Sequence, residues 1–360
     1  MSELTERRKF LMAGGGTGGH VIPLLAVARE LRQRGHEVFF VGTERGMEAR
    51  LVPAEGFELR KIAIGGLNRV GPRQKASTLV RLPLATARST ALARGIAAVF
   101  SMGGYAAGPP VMAALLRRIP VVVMEPNAFP GFTNRAVGRL VSRALIAFAE
   151  TARYFPEGRT ELTGLPVREE FFHLPPKTRG AALDLLITGG SQGSRTLNQA
   201  ARQSWPLFRK AGFAVRIVHQ TGDAQHAELR EEFARTGLEG RVVPFIGAMP
   251  DAFAKADLVV CRSGAGAVAE LAAAGKPSVL VPLPFAADDH QARNAEALER
   301  AGAARMVRDA EMSGEKLFAT VAELAGSSGT LERMGDAARS LAHPGAARRA
   351  AEILEEVASA

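Results

Sequence analysis

The stretch KFLMAGGGTGGHVIPLLAVARELRQRG, from Lys9 to Gly35, joins a short apolar run to a helical pattern through a loop with five glycines. The apolar run predicts a buried strand, and the apolar residues that recur after it predict a helix near Val21–Arg34. EVFFVG follows at Glu37–Gly42 and completes a strand–helix–strand unit. Such units are typical of a parallel sheet that helices cover on both faces.

The same order of elements recurs along the chain. FSMGGYAAGPPVMAALLRRIPVVVMEPN (Phe100–Asn127) and VCRSGAGAVAELAAAGKPSVLVPLP (Val260–Pro284) each contain a strand, a glycine turn, a helix of small residues and a second strand. We therefore predict an α/β fold with two Rossmann-like domains that face each other across a cleft, residues 1–163 and 164–345. A C-terminal helix near Ala346–Ala358 is expected to pack back on the first domain.

The linker between the domains is predicted in PEGRTELTGLPVREEFF, with the boundary near Thr163–Gly164. A chain of 360 residues is long enough for two cores. Cys261 is the single cysteine, which excludes an intrachain disulfide and fits a reducing compartment. The N-terminus MSELTERRKF does not resemble a signal peptide, and no apolar run approaches the roughly 18 residues of a spanning helix. We expect a soluble protein, or one bound to a membrane surface.

The net charge is strongly positive, because 46 Lys and Arg residues against 36 Asp and Glu residues leave 46 − 36 = +10. Such a balance favours nucleic acid, phosphorylated metabolites or an acidic membrane surface, without choosing among them. Leu67–Arg94 concentrates basic residues among apolar ones. This segment predicts a patch that meets anionic lipid headgroups, although a solvated helix would have the same composition. The residues of the predicted membrane patch are Arg69, Arg73, Lys75, Leu79, Arg81, Leu82 and Arg88.

The first glycine loop contains G-x-G-x-x-G as Gly14, Gly16 and Gly19. A dinucleotide site would need an acidic residue at the end of the next strand, where this chain has Gly42. The P-loop pattern is also absent, so we expect the loop to bring its backbone close to an anionic ligand at a helix N-terminus. His20 directly follows the loop and is a candidate general base; the alternative is a capping or packing histidine.

Two further loops carry polar groups suited to a nucleotide sugar. In ITGGSQGSRTLN, Ser191 lies in a glycine turn that opens a helix, which suits a pyrophosphate. The alternative is a plain strand–helix turn without a ligand. In CRSGAGAVAE, the carboxylate of Glu270 can bind the two ribose hydroxyls. Gln291 and Asn294 are three residues apart on one helix face and can bind sugar hydroxyls. No Asp-x-Asp triplet and no Cys/His cluster has metal spacing, so no essential metal and no cofactor are expected.

Seven segments, taken in order, closely resemble the MurG family, the UDP-N-acetylglucosamine transferases of bacterial peptidoglycan synthesis. The resemblance spans about Lys9 to Ala295 and is carried by AGGGTGGHVIP, SMGGYAAGP, EPNAFPGFTNR, TGLPVR, TGGSQGSRTLN, CRSGAGAVAE and DDHQARNA. It implies a two-domain GT-B fold and an inverting transfer of N-acetylglucosamine from UDP-GlcNAc to the muramoyl 4-hydroxyl of undecaprenyl-linked lipid I, which gives lipid II. It also implies peripheral attachment to the cytoplasmic face of the cell membrane, other cell-wall synthesis proteins as partners, and no nucleic acid.

The resemblance also assigns site residues. His20 is the first candidate base and Glu125 the second. The positions matched to donor binding are Thr17, Gly18, Gly19, Asn127, Arg168, Ser191, Ile246, Ala265, Gly266, Ala267, Val268, Ala269, Glu270 and Gln291. The first four of these face the cleft from the N-terminal side, and the resemblance implies that AGGGTGGH receives the lipid I diphosphate. Other family motif positions are Tyr105, Asn134, Asn198, Arg262 and Asn294. The chain departs from the family at Met124, where many relatives carry histidine, and at Leu165, where asparagine is usual.

Three other functions are compatible with parts of the pattern. A related UDP-sugar transferase could use another lipid or a natural product as acceptor. A dinucleotide-dependent oxidoreductase would explain the first glycine loop, but the ribose acid is absent. A module that only binds a UDP-sugar would not need all the polar motifs that the chain retains.

Overall fold

The computed structural model describes residues 6–44, 46–62 and 85–359. The chain divides into two compact units, which are Met1–Val167 with Gly345–Ala360 (unit 1) and Arg168–Pro344 (unit 2). Each unit contains one sheet in which every strand pair is parallel. Two parallel-sheet α/β domains are therefore confirmed.

Unit 1 has a seven-stranded sheet in the order β3-β2-β1-β4-β5-β6-β7. Its central strands are buried on both faces, as the near-continuous apolar runs predict. The strands are β1 Lys9–Ala13, β2 Glu37–Gly42, β3 Glu58–Lys61, β4 Ala98–Ser101, β5 Val121–Glu125, β6 Arg143–Ile146 and β7 Thr160–Leu162. The helices that these strands alternate with are α1 Gly18–Gln33, α2 Glu48–Ala54, α3 Gly108–Leu116 and α4 Phe132–Val137.

The strand β7 lies within the segment that was predicted as a linker. It pairs with β6 at the edge of the sheet, with Ala144 opposite Thr160. The predicted linker is therefore partly sheet, and the two units separate between Val167 and Arg168.

Unit 2 has a six-stranded sheet in the order β10-β9-β8-β11-β12-β13. Its strands are β8 Leu183–Thr188, β9 Val215–Gln220, β10 Glu239–Val243, β11 Leu258–Cys261, β12 Ser278–Leu280 and β13 Ala304–Met306. Its helices are α5 Arg195–Lys210, α6 Asp223–Thr236, α7 Met249–Lys255, α8 Ala265–Ala274, α9 His290–Arg300, α10 Gly314–Gly326 and α11 Thr330–Ser340. The core on one face of the sheet contains Trp205, the only tryptophan of the chain.

The last helix, α12 (Ala346–Ser359), packs on α1 and β4 of unit 1. Arg349 forms a bidentate pair with Glu161, with nitrogen–oxygen distances of 2.6 and 3.0 Å. The Nε2 atom of the buried His36 lies 2.8 Å from the Glu355 carboxylate. The apolar face of α12 and these polar contacts attach the end of the chain to the first sheet.

Each sheet reverses its strand order once next to its first strand, between β1 and β4 in unit 1 and between β8 and β11 in unit 2. In open α/β sheets, ligands bind outside the carboxyl ends of the strands at this switch point. The glycine loops that follow β1 and β8 lie at these two points. The topology alone therefore selects both loops as candidate sites.

Candidate functional site

The first glycine loop leads from β1 into α1 at the switch point of unit 1. Gly16 has φ of 89°, which favours glycine, and a Cβ there would lie 3.3 Å from the ring of Tyr105. Thr17 is the N-cap residue but makes no side-chain capping bond. The backbone N–H groups of Gly18 and Gly19 open the helix, and such first-turn groups have no partner within a helix.

His20 lies in the first turn of α1 and is half-buried. Its Nδ1 atom is 3.3 Å from the carbonyl oxygen of Gly15. Its ring also borders Gly104, because a Cβ at Gly104 would lie 3.5 Å from the imidazole. The ring is therefore held between two glycine loops, at the edge where the topology predicts a ligand.

A carboxylate that the sequence did not reveal lies behind this loop. Glu48 is 1% exposed, at the start of α2. Its Oε2 accepts from the N–H of Gly16 at 2.8 Å, and its Oε1 accepts from the N–H and the hydroxyl of Thr43 at 2.9 and 2.7 Å. Burial opposes ionisation, but these hydrogen bonds outweigh it and lower the pKa of Glu48. The group is a buried carboxylate that holds the glycine loop from inside the unit.

Glu125, the second candidate base, is also 1% exposed. One of its oxygens accepts from the N–H and the side-chain amide of Asn127, and the other accepts from Gly131 N–H and the Asn134 amide. Burial raises the pKa of Glu125, and the four hydrogen bonds act against that shift. The geometry gives this carboxyl group a part in shaping the EPNAFPGFTN loop; its role as a base stays a prediction. Asn134 donates a second bond to the carbonyl of Met124, while its own buried Oδ1 has no hydrogen-bond partner among the described residues.

The second glycine loop leads from β8 into α5 at the switch point of unit 2. Gly193 has φ of 72°, and a Cβ there would overlap the carbonyl oxygen of Thr221. Gln220, at the end of β9, bonds to the loop through its amide, which donates to the Gly190 carbonyl at 2.8 Å; its oxygen accepts from Ile246 N–H, after β10, at 2.8 Å. Ser191, at the exposed tip, is thus presented by a loop whose backbone is fixed on both sides.

The start of α5 carries a positive charge close behind it. Ser194 caps the helix by accepting from Leu197 N–H at 3.3 Å. The guanidinium of Arg262 donates to the Ser194 hydroxyl at 2.6 Å and pairs with Asp309 at 2.5 Å. It also donates to the carbonyls of Val281 and Pro282, so its orientation is fixed from three directions.

Glu270 lies on α8 with 29% of its side chain exposed. Burial raises its pKa to about 7, and the charge of Arg168 opposes the shift. The Arg168 guanidinium is 3.9 Å from the Glu270 carboxylate and lies over the ring of Phe171 at 5.0 Å. Near neutral pH the Glu270 carboxyl group is therefore partly ionised, with one oxygen near the Arg168 guanidinium.

Two residues of α9 bond to the turn before α8. The main-chain carbonyl of Gln291 accepts from the Ser263 hydroxyl at 2.8 Å, while its side-chain Oε1 accepts from Leu283 N–H at 2.9 Å. Asn294 is fully buried and donates to the Ser263 carbonyl at 3.1 Å. Asn294 therefore stabilises the turn before α8, whereas Gln291 is only half-buried and remains partly accessible.

Asn198 is a support of the second loop, because it is 2% exposed. Its amide nitrogen donates to the Thr221 carbonyl and to Gln225, both at 2.9 Å. Its oxygen therefore accepts, at 3.0 Å, from Nε2 of His219. Burial lowers the pKa of His219 to about 4, so the imidazole is neutral near neutral pH.

The predicted site residues thus fall into two groups. Unit 1 brings together the first loop, His20, Tyr105 and the loop that Glu125 organises. Unit 2 brings together the second loop, Arg262, the α8 turn and Gln291, with Arg168 beside Glu270. Of the predicted membrane patch, only Arg88 falls within the described residues, and it is exposed; its other six members lie outside them.

Sequence reasoning missed Glu48, Gln220, His219 and Asp309. The positions of Gln220 and His219 carry a weak signal, because polar residues end the buried strand VRIVHQ. Glu48 carries none, since MEARLVPAEG reads as an ordinary solvated helix start. Within the described ranges, no group of three or more His, Cys, Asp or Glu side chains could hold a metal ion, and no described helix is long and apolar enough to cross a membrane.

Two family models match the chain: the glycosyltransferase family 28 N-terminal domain over residues 10–146 and the glycosyltransferase family 28 C-terminal domain over residues 184–355. A protein of Solibacter usitatus (strain Ellin6076) is 71% identical over 98% of this chain and 97% of its own length. A protein of Myxococcus xanthus (strain DK1622) is 44% identical over 96% of this chain and 92% of its own. Both are named UDP-N-acetylglucosamine--N-acetylmuramyl-(pentapeptide) pyrophosphoryl-undecaprenol N-acetylglucosamine transferase.

Among solved structures, the Acinetobacter baumannii MurG crystal structure matches with a TM-score of 0.81 and 34% identity, over 97% of this chain and 99% of that one. The glycosyltransferase of kitacinnamycin matches with a TM-score of 0.74 at 22% identity, over 98% of this chain and 99% of that one. The second likeness is one of fold alone.

Proposed function

The chain belongs to the MurG family within glycosyltransferase family 28, and from this membership we infer that it transfers N-acetylglucosamine from UDP-GlcNAc to undecaprenyl-linked lipid I to give lipid II. The observation that carries the inference is the near-complete overlap with the Solibacter relative, whose name states this donor and this acceptor. The enzyme is thus a hexosyltransferase of peptidoglycan synthesis, with UDP-GlcNAc and lipid I as its substrates.

The donor is assigned to unit 2, residues 168–344. Glu270 accepts hydrogen bonds from the ribose hydroxyls, and Gln291 and the α8 turn hold the sugar. Ser191 and the first-turn amides of α5 bind the diphosphate, which the helix dipole favours. The N–H of Ile246 is already donated to Gln220, so uracil recognition falls to the Ile246 carbonyl.

The acceptor is assigned to the glycine loop of unit 1. The open amides of Gly18 and Gly19 receive the lipid I diphosphate, and His20 removes the proton from the attacking 4-hydroxyl. Tyr105 borders the same loop, because a Cβ at Gly16 would lie 3.3 Å from its ring. Attack on an α-linked donor from the opposite face gives a β-linked product, so the reaction inverts the anomeric centre.

The leaving UDP is stabilised without a metal in this proposal. The starts of α5 and α8 supply dipoles and backbone donors, and Arg262 supplies a fixed cation behind the α5 cap. Dialysis against EDTA should leave most of the activity. Complete loss that Mg²⁺ or Mn²⁺ restores would contradict this part of the proposal.

The acceptor is a lipid, so the enzyme is proposed to act as a peripheral protein on the cytoplasmic face of the cell membrane. Leu67–Arg94 supplies the basic and apolar residues for this attachment, and each basic residue contributes on the order of 1 kcal/mol at an anionic surface. Sedimentation with anionic vesicles should fall as salt rises. Unchanged binding by the Arg73→Glu/Arg81→Glu variant would contradict the assignment.

Transfer from radiolabelled UDP-GlcNAc to a lipid I analogue tests the function as a whole. We expect a disaccharide–lipid product that depends on the acceptor, and much slower transfer from UDP-GalNAc. An enzyme that binds UDP-GlcNAc but glycosylates only another lipid or a natural product would have a related function with a different acceptor.

A further inference from the structure

The glycine loop of unit 1 is built around a carboxylate that has no place in the proposed chemistry. A Cβ at Gly15 or Gly46 would overlap the Glu48 carboxyl group, and one at Gly42 would overlap the Cγ atom of the same side chain. Three glycines from two segments thus leave room for one buried side chain. The absence of side chains at these positions is explained by Glu48, and not only by close approach of a ligand.

Glu48 also decides which loop amides can reach a ligand. The N–H of Gly16 points inward and donates to Oε2 of Glu48. The N–H groups of His20 and Val21 donate to the Thr17 carbonyl at 3.2 Å. The first-turn donors at Gly18 and Gly19 are therefore the ones that the helix geometry leaves for a ligand.

The contacts of Glu48 are divided between two targets. Oε1 accepts both bonds from Thr43, the residue after β2, and Oε2 accepts the bond from Gly16 of the glycine loop. A bond between a charged acceptor and a backbone N–H is about twice as strong as a neutral one. The Glu48 carboxylate therefore links the glycine loop to the β2–α2 turn through its Oε2 atom.

We propose that Glu48 is a positioning residue for the acceptor side of the transfer reaction, which fixes the glycine loop so that Gly18, Gly19 and His20 face the acceptor. This inference rests on the proposed function for its kinetic consequence. It does not rest on that function for its structural consequence, which is that Gly16 is held by the carboxylate.

The variant Glu48→Gln separates the two targets, because its amide oxygen can keep both Thr43 donors while its NH₂ group faces the Gly16 N–H. We expect kcat/KM for the lipid I analogue to fall roughly 10–100-fold, as for loss of a buried charged hydrogen bond. The KM for UDP-GlcNAc should change less than about twofold. Hydrogen exchange of the Gly16 amide, measured on residues 13–24, should become at least about tenfold faster.

Thr43→Val is the matched control, since it removes one donor to Glu48 but leaves the carboxylate and the Gly16 bond. Exchange at Gly16 and acceptor kcat/KM should both stay within about threefold of the parent protein. If Glu48→Gln does not fold, Gly15→Ala replaces it, because the added Cβ would overlap the Glu48 carboxyl group and displace it from the glycine loop. Its control is Gly108→Ala, where an added Cβ meets nothing within 4 Å.

The proposal is overturned if Gly16 exchange is unchanged in Glu48→Gln, if exchange changes without acceptor kinetics, or if Thr43→Val matches Glu48→Gln in both. If the parent protein does not glycosylate the lipid I analogue, the proposed function fails, whereas the exchange comparison still tests the hold on the loop. The two failures are therefore distinguishable.

Discussion

The two glycine loops occupy the same place in their sheets but are supported by groups of opposite charge. The loop after β1 has the Glu48 carboxylate bonded to Gly16 behind it. The loop after β8 has the Arg262 guanidinium bonded to its cap residue Ser194. Because Asp309 pairs with Arg262, the two loops differ in the group that holds them, and it is the dipole of α5 that suits the second loop to the charge on a leaving diphosphate. In the first loop the Glu48 carboxylate takes the N–H of Gly16, so the first-turn amides of Gly18 and Gly19 are the donors left for an anionic acceptor.

The largest effect is expected in the first loop, at His20. If this residue is the base, His20→Ala should lower kcat by roughly 10²–10⁴-fold and leave UDP affinity unchanged. A residue that only orients the acceptor would instead raise the acceptor KM. Steady-state kinetics with both substrates varied separate the two roles. Retention of kcat within a few-fold would exclude His20 as the base and direct attention to Glu125.

The second loop is most sensitive at Gly193. Gly193→Ala combines a φ of 72° with a Cβ that overlaps the Thr221 carbonyl, and we expect UDP binding to weaken by more than about 100-fold. Gly190→Ala is the matched control, because its φ is 83° but its Cβ would meet nothing within 4 Å. It should suffer only the backbone strain of about 1–2 kcal/mol. If calorimetry shows that UDP affinity falls equally in Gly193→Ala and Gly190→Ala, the overlap with the Thr221 carbonyl does not affect UDP binding.

The sequence predicted what depends on local pattern. Alternating apolar runs and helical patterns give parallel sheets, and the glycine turns gave both loops at the switch points. The helix before residue 35 was predicted three residues late at its start, because GGH has no helical signal and lies in α1 only through its place in the turn. The strand β7 was missed, because TEL is short and polar and becomes a strand only by pairing with β6.

The supports of the loops were not predictable in the same way. Glu48 reaches the first loop from α2, more than thirty residues along the chain, and Asp309 holds Arg262 from a segment 47 residues away. Such contacts depend on the register of distant elements, which one sequence does not encode locally. Glu270 and Gln291 could be proposed because their chemistry matched a nucleotide sugar. Asn294 was expected to bind sugar hydroxyls, but it is a fully buried amide that bonds to the turn before α8.

Glu270 should give an intermediate effect in unit 2. Loss of its bonds to the ribose in Glu270→Ala is expected to cost about 1–3 kcal/mol of UDP-GlcNAc binding. Because its pKa is raised to about 7, the accepting carboxylate is lost as pH falls through 7, and affinity should weaken from pH 8 to pH 6. Glu270→Gln should flatten this dependence. An unchanged pH profile would show that the carboxylate does not bind the ligand.

The smallest effect compares the two helix starts. Ser194 accepts from Leu197 N–H, whereas Thr17 at the same position of α1 makes no side-chain capping bond. Removing a true N-cap costs about 0.5–2 kcal/mol, and Ser194→Ala also removes the oxygen that accepts from Arg262, so it should destabilise unit 2 by at least that amount. Thr17→Ala should change the stability of unit 1 by less than about 0.5 kcal/mol. The chain allows each unit to be followed separately, because its only tryptophan, Trp205, lies in unit 2 and both tyrosines, Tyr105 and Tyr154, lie in unit 1. Urea unfolding followed by tryptophan fluorescence and by tyrosine absorbance measures the two changes. If both alanine variants lose the same free energy of unfolding, the two helix starts do not differ in capping. A larger loss in Thr17→Ala would contradict the assignment of Ser194 as the stronger cap.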